Sequence, residues 1–136
     1  MPHVPVRIAD SGSALALASR ESGHLWVAAE IAHTETEYRI RLTMPGCDEK
    51  HVRVSAAPNA IVVEGSIGAP FMFGMGEILS SEFGSRRMHR VIEVPEEIVP
   101  DEVRAHLYNG LLSVIAEKAA ASRRRRFAGS AVTARV

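Results

Sequence analysis

The residues with the greatest chemical reach in this 136-residue chain are six histidines, one cysteine, a run of four arginines and an arginine set among apolar neighbours. His3, His24, His33, His51, His89 and His106 never fall at the i, i+4 spacing that puts two imidazoles on one helix face for a metal ion. Cys47 is alone, so neither an intrachain disulfide nor a cysteine-based zinc site can be assembled. This thiol beside Gly46 could be exposed and oxidisable, but with no Cys-His arrangement to activate it the preferred reading is a simple turn residue. Gly74-Met75-Gly76 is only a fragment of a phosphate loop, without the third glycine or a following Lys-Ser/Thr. Arg123 to Arg126 could neutralise phosphates, but no aromatic residue interleaves them and the formal net charge is zero. The run therefore reads as a solvated, solubilising face, and nucleic acid is not expected as a partner. No cofactor, metal or catalytic centre is expected.

Arg90 is different in kind. In Met88-His89-Arg90-Val91-Ile92-Glu93-Val94-Pro95 a period of two places it on the same face as Met88, Ile92 and Val94. An arginine on an apolar face must be paired or lie at an interface, because an unpaired buried charge costs several kcal/mol or so; the alternative is an edge arginine that snorkels to solvent.

The elements that must position these residues are strands. Tyr38, Ile40, Leu42 and Met44 alternate with charged or polar residues up to Pro45-Gly46, giving one apolar and one charged face. Val52 and Val54 alternate likewise, and Pro58-Asn59 turns the chain into Ile61-Val62-Val63-Glu64-Gly65. Val103, Ala105 and Leu107 form another alternating run. Asn109-Gly110, which tolerate positive φ, turn it into the apolar strand from Leu111 to Lys118. Short strands joined by Pro, Gly and Asn turns, with almost no helical periodicity between them, predict an all-β, immunoglobulin-like antiparallel sandwich.

The hydrophobic content of 46% suits one domain with a real core. We place its bounds at 25–118, between a variable N-terminal arm (1–24) and a basic C-terminal tail (119–136), both flexible. In the arm only Ala14 to Arg20 could form a short helix, whereas Ala119-Ala120-Ala121 favours helix after the last strand. Trp26 reads as a core or edge packing residue. Glu96 to Glu102 reads as an acidic connection. Between Ser66 and Gly84, Phe71, Met72, Phe73 and Met75 load a Gly/Pro loop with apolar groups that need a cover; the bland reading is that they fold back on their own domain. Ala14 to Ala18 is too short and too interrupted upstream for a signal peptide. No segment approaches the ~18 apolar residues of a spanning helix, so a soluble, cytoplasmic protein with no membrane partner is expected.

Three ordered motifs resemble the α-crystallin domain of small heat shock proteins: Met44-Pro45-Gly46 with the strand before it, the Arg90 strand ending at Pro95, and Ala105 to Leu111 with Asn109 and Gly110 at its centre. The resemblance covers Trp26 to Lys118. It implies a homodimer in which Ile78 to Glu82, with Ile78, Leu79 and Glu82 at the contact, crosses to a partner subunit, and in which Arg90 makes an ion pair near that contact, with Glu82 as its acid. It also implies a groove for an extended tail anchor. Val52, Val54, Val103 and Leu107 are its candidate lining, and Val132-Thr133-Ala134 is a faint counterpart of the anchor itself. The implied activity is that of an ATP-independent holdase chaperone of the stress response, one that captures partly unfolded client proteins and prevents their aggregation. Phe71, Met72, Phe73 and Met75 are the client-binding candidates, since methionine suits a promiscuous surface. Two other classes stay open: a CS-type co-chaperone-like binding module, monomeric and with a defined partner, and a scaffold that dimerises without protecting clients.

Overall fold

The computed structural model describes residues 3–9, 26–67, 76–77, 79–80 and 87–134. The alternating sequences become strands: β1 (His3–Val4), β2 (Val6–Ile8), β3 (Ala29–His33), β4 (Glu37–Thr43), β5 (Val52–Ala57), β6 (Ala60–Ser66), β7 (Arg87–Glu93), β8 (Ile98–Tyr108) and β9 (Leu111–Lys118). An α-helix, α1 (Ala119–Ala134), follows β9 directly. One sheet has five strands in the order β1-β8-β9-β4-β3, the other four in the order β2-β5-β6-β7. Every pairing is antiparallel except that of β2 with β5. This is the β-sandwich that the sequence predicts.

Burial follows the period of two. On β4, Tyr38, Ile40 and Leu42 are buried while Arg39 and Arg41 are exposed; on β8, Val103, Ala105 and Leu107 point inward. These side chains join Val54, Ile61, Val63, Met88, Ile92, Leu112 and Val114 in one core between the sheets. At roughly 1.5–3 kcal/mol for each fully buried Val, Leu or Ile, this core is the main favourable contribution to the fold.

Two turns lock together at one end. Asn109 (φ 51°) and Gly110 (φ 76°) both take the left-handed backbone that a two-residue hairpin between right-twisted strands requires. The Met44 amide donates to the Gly110 carbonyl at 2.6 Å, which seats the Pro45-Gly46 turn against the hairpin.

Three expectations are corrected. The arm before residue 24 carries strands, because Val4, Val6 and Ile8 also alternate. β1 pairs with β8 and β2 with β5, and the chain changes sheets at Pro5, a residue with no amide proton to leave unpaired. Val4 is fully buried in the core. The Ala14 to Arg20 helix lies outside the described residues. The acidic connection from Glu96 is largely strand, since Ile98 is buried and its amide donates to the Pro58 carbonyl at 2.8 Å; an irregularity in the β8/β9 register falls between Ile98 and Val103. Beyond Lys118, the helix expected at Ala119 to Ala121 continues to Ala134.

Candidate functional site

Strand β7 presents Arg90 as the sequence requires, beside buried Met88 and Ile92. No acid partners it among the described residues. Its Nη1 donates to the Val27 carbonyl at 3.2 Å, and its guanidinium lies over the Trp26 ring, 4.7 Å from the centroid. Trp26 is 78% exposed, so of the expected core or edge packing only the core place is excluded. The neighbouring Val27 takes the buried place, because the chain entering β3 can turn only one of the two inward. Glu82, the acid expected for Arg90, lies outside the described residues, as does Ile78; Leu79 is described and almost fully exposed.

A second cluster forms where β9 meets α1. Lys118 is buried, with its ammonium paired to the Glu96 carboxylate, 3.2 Å from His33 Nδ1 and 5.0 Å from the centroid of the Tyr38 ring. The Tyr38 hydroxyl accepts from the Glu96 amide at 2.9 Å. Hydrogen bonding to Lys118 holds the Glu96 carboxyl below its ordinary value.

The four residues expected to line a tail groove, Val52, Val54, Val103 and Leu107, are all buried in the core. Along the same side lies the chain's own segment 3–8, with Val4 opposite Ala105 on β8 and Val6 opposite Val54 on β5. The His3 and His106 rings meet edge to face at 5.1 Å. Val132, Thr133 and Ala134, the expected anchor, belong to α1 and so have helical rather than extended backbone.

The arginine run is not simply a solvated face. Arg125 Nη1 donates to Glu117 at 2.6 Å and its Nη2 to Glu102 at 3.2 Å, while Arg126 reaches Glu102 at 3.4 Å. The hydrogen bonds to Glu117 and then Glu102 raise the Arg125 pKa above its ordinary value. Two of the four arginines therefore pin α1 to β8 and β9.

Cys47 is half-buried, with its thiol donating to Met88 Sδ at 3.7 Å. Burial pushes the thiol pKa up and the adjacent Asp48 adds to it. The client-binding candidates Phe71, Met72, Phe73 and Met75 lie outside the described residues. No group of three or more metal-ligating side chains occurs among the described residues, and no helix there is long and apolar enough to cross a membrane. Sequence reasoning missed the 3–8 strands and the Lys118 cluster. The first had a signal in Val4-Pro5-Val6-Arg7-Ile8; the second had none, because its residues are far apart in the chain.

Comparison with known proteins fits this geometry. The model of the Hsp20/alpha crystallin family matches residues 30–127, from β3 into α1. The mitochondrial heat shock 22 kDa protein of Glycine max is 32% identical over 116 residues, 85% of this chain and 47% of that protein. The mitochondrial heat shock 22 kDa protein of Pisum sativum is 32% identical over 105 residues, 76% of this chain and 46% of that protein. The chain thus spans about half the length of the curated relatives it matches. Among solved structures, heat shock protein 16.0 of Schizosaccharomyces pombe superposes with a TM-score of 0.61 at 21% identity, over 71% of this chain and 89% of that one. The cytoplasmic expectation is overturned by the two curated relatives, both named mitochondrial. A single cysteine argues against disulfides but does not distinguish one reducing compartment from another. The family model, matching residues 30–127 and so well over half of the chain, establishes that this chain belongs to the Hsp20/alpha crystallin family of small heat shock proteins.

Proposed function

We propose that this chain is an ATP-independent holdase that binds partly unfolded proteins and keeps them from aggregating. The family match over residues 30–127 carries the reading. The surface supports it: Ile31 and Phe127 are exposed apolar side chains able to cover a client's newly exposed area, at about 25 cal/mol per Å². Phe71, Met72, Phe73 and Met75 complete the proposed client surface. The working unit we propose is a homodimer that exchanges the Ile78 to Glu82 strand, with Arg90 and Trp26 at the contact.

The test is light scattering from a heat- or reductant-denatured client, with and without this chain and without ATP. Suppression at near-stoichiometric ratios, with an inert control protein giving none, is the expected result. No suppression across several clients and temperatures would overturn the holdase reading in favour of a dedicated binding or scaffold module.

A further inference from the structure

Two histidines from opposite ends of the chain face one another across a strand pair. β1 runs antiparallel along β8 as an edge of its sheet, and the register sets His3 directly opposite His106. Each is fixed by a neighbour in the core, since Val4 and Ala105, also opposite one another, are fully buried. Side chains directly opposite in an antiparallel pair share one face of the sheet, with Cβ atoms about 4.5–5.5 Å apart. Here the imidazole centroids are 5.1 Å apart and the ring planes stand at 80°. His3 is exposed, so its ring can turn without disturbing the core. His106 is half-buried, and its Nδ1 is sealed from solvent with no hydrogen-bond partner among the described residues. A buried nitrogen in that state carries a desolvation cost that a ligand on its lone pair would relieve.

We propose that His3 and His106 chelate a divalent transition-metal ion of the zinc type, and that the bound ion clamps β1 to β8. Neutral imidazole suits zinc, copper and nickel, whereas magnesium and calcium take oxygen ligands. An ion about 2.1 Å from one nitrogen of each ring, at a tetrahedral angle, sets the two centroids roughly 5 Å apart. The rings already stand at that separation, and the edge-to-face contact becomes shared coordination once the His3 ring turns a nitrogen toward the ion. Two protein ligands leave the remaining positions to water, in keeping with the lack of any group of three or more ligating side chains among the described residues. The surroundings admit a cation. Ser113, opposite His106 on β9, is neutral, and Arg104, two positions along β8, is exposed, so solvent screens its charge. Once one imidazole has bound, the other is offered at high effective concentration, so the pair outbinds either histidine alone. A search for histidines at helical spacing cannot show such a site, because only the strand register creates it.

The experiment titrates the metal-free full chain with zinc chloride, read by calorimetry and by amide hydrogen exchange, with magnesium chloride as the control. Zinc should bind and slow exchange across residues 4–8, and magnesium should do neither. His3→Ala and His106→Ala should each weaken zinc binding at least about tenfold, and the double variant should bind no more weakly than either, because losing one imidazole already ends the chelate. Zinc binding that survives either single substitution overturns the proposal. So does binding that leaves exchange across residues 4–8 unchanged, since the ion would then clamp nothing. If His106→Ala does not fold, the imidazole nitrogen resonances of the wild type decide: zinc shifting His3 and His106 over the same concentration range supports the chelate, and shifts confined to other histidines overturn it.

Discussion

Arg90 and Trp26 form a stacked pair on the surface, with the guanidinium 4.7 Å from the ring centroid and also tied to the Val27 carbonyl. An exposed cation–π contact is worth about 0.5–1 kcal/mol, so a double-mutant cycle with Arg90→Ala and Trp26→Ala should return a coupling of that size in urea unfolding. If the pair lies at the proposed subunit contact, Trp26 emission should also shift to shorter wavelength as protein concentration rises through the dimer dissociation constant. Constant emission together with unchanged sedimentation of Arg90→Ala would remove both residues from the interface.

Lys118 and Glu96 contribute unequally. Glu96→Gln leaves the buried ammonium without its carboxylate, whereas Lys118→Met removes the charge and fills its place with apolar volume. Glu96→Gln should therefore lower the melting temperature more than Lys118→Met does. Because pairing depresses the folded-state pKa of Glu96 below the ordinary 4.5, its contribution is complete above that value and disappears as pH falls through the folded pKa. The stability difference between wild type and Glu96→Gln should accordingly vanish in acid; a difference independent of pH would refute the pairing.

Gly110 has φ 76°, and a Cβ added there would stand 3.4 Å from Pro45 Cα. Gly110→Val should destabilise the fold by more than about 1 kcal/mol, through strain at positive φ. Asn109→Gly, at the neighbouring left-handed position, should cost little. Equal urea midpoints for the two variants would contradict the hairpin geometry.

Arg125 joins α1 to two strands at once. Arg125→Ala should speed amide hydrogen exchange along α1 while leaving exchange on β8 and β9 nearly unchanged. Salt should produce a milder version of the same effect in the wild type, because these pairs are exposed and screened. Exchange in α1 that is insensitive to both would show that the helix is held by apolar packing instead.

Much of the sandwich was legible from spacing alone. Tyr38-Ile40-Leu42, Val52-Val54 and Val103-Ala105-Leu107 declare their inward faces by alternation, and Asn109-Gly110 declares its turn, because strand pleat and positive φ are properties of short stretches. The same local reading could have included Val4-Pro5-Val6-Arg7-Ile8, which falls in a stretch dominated by small and polar residues.

Side-chain partners were another matter. Arg90 could be read as needing company, since a charge on an apolar face carries that requirement wherever it folds. Its partners, the Trp26 ring and the Val27 carbonyl, lie more than sixty positions earlier, and only sheet-on-sheet packing brings them within reach. For the same reason Lys118 could be seen as the end of a strand but not as a buried cation between Tyr38, His33 and Glu96, and Arg125 could be seen as part of a run but not as a clamp. The sequence by itself determined which residues face the core, because hydrophobicity with a period of two acts locally. Only the tertiary structure decided which charges meet and which segment closes the β5/β8 side, because those contacts form between groups that chain connectivity leaves far apart.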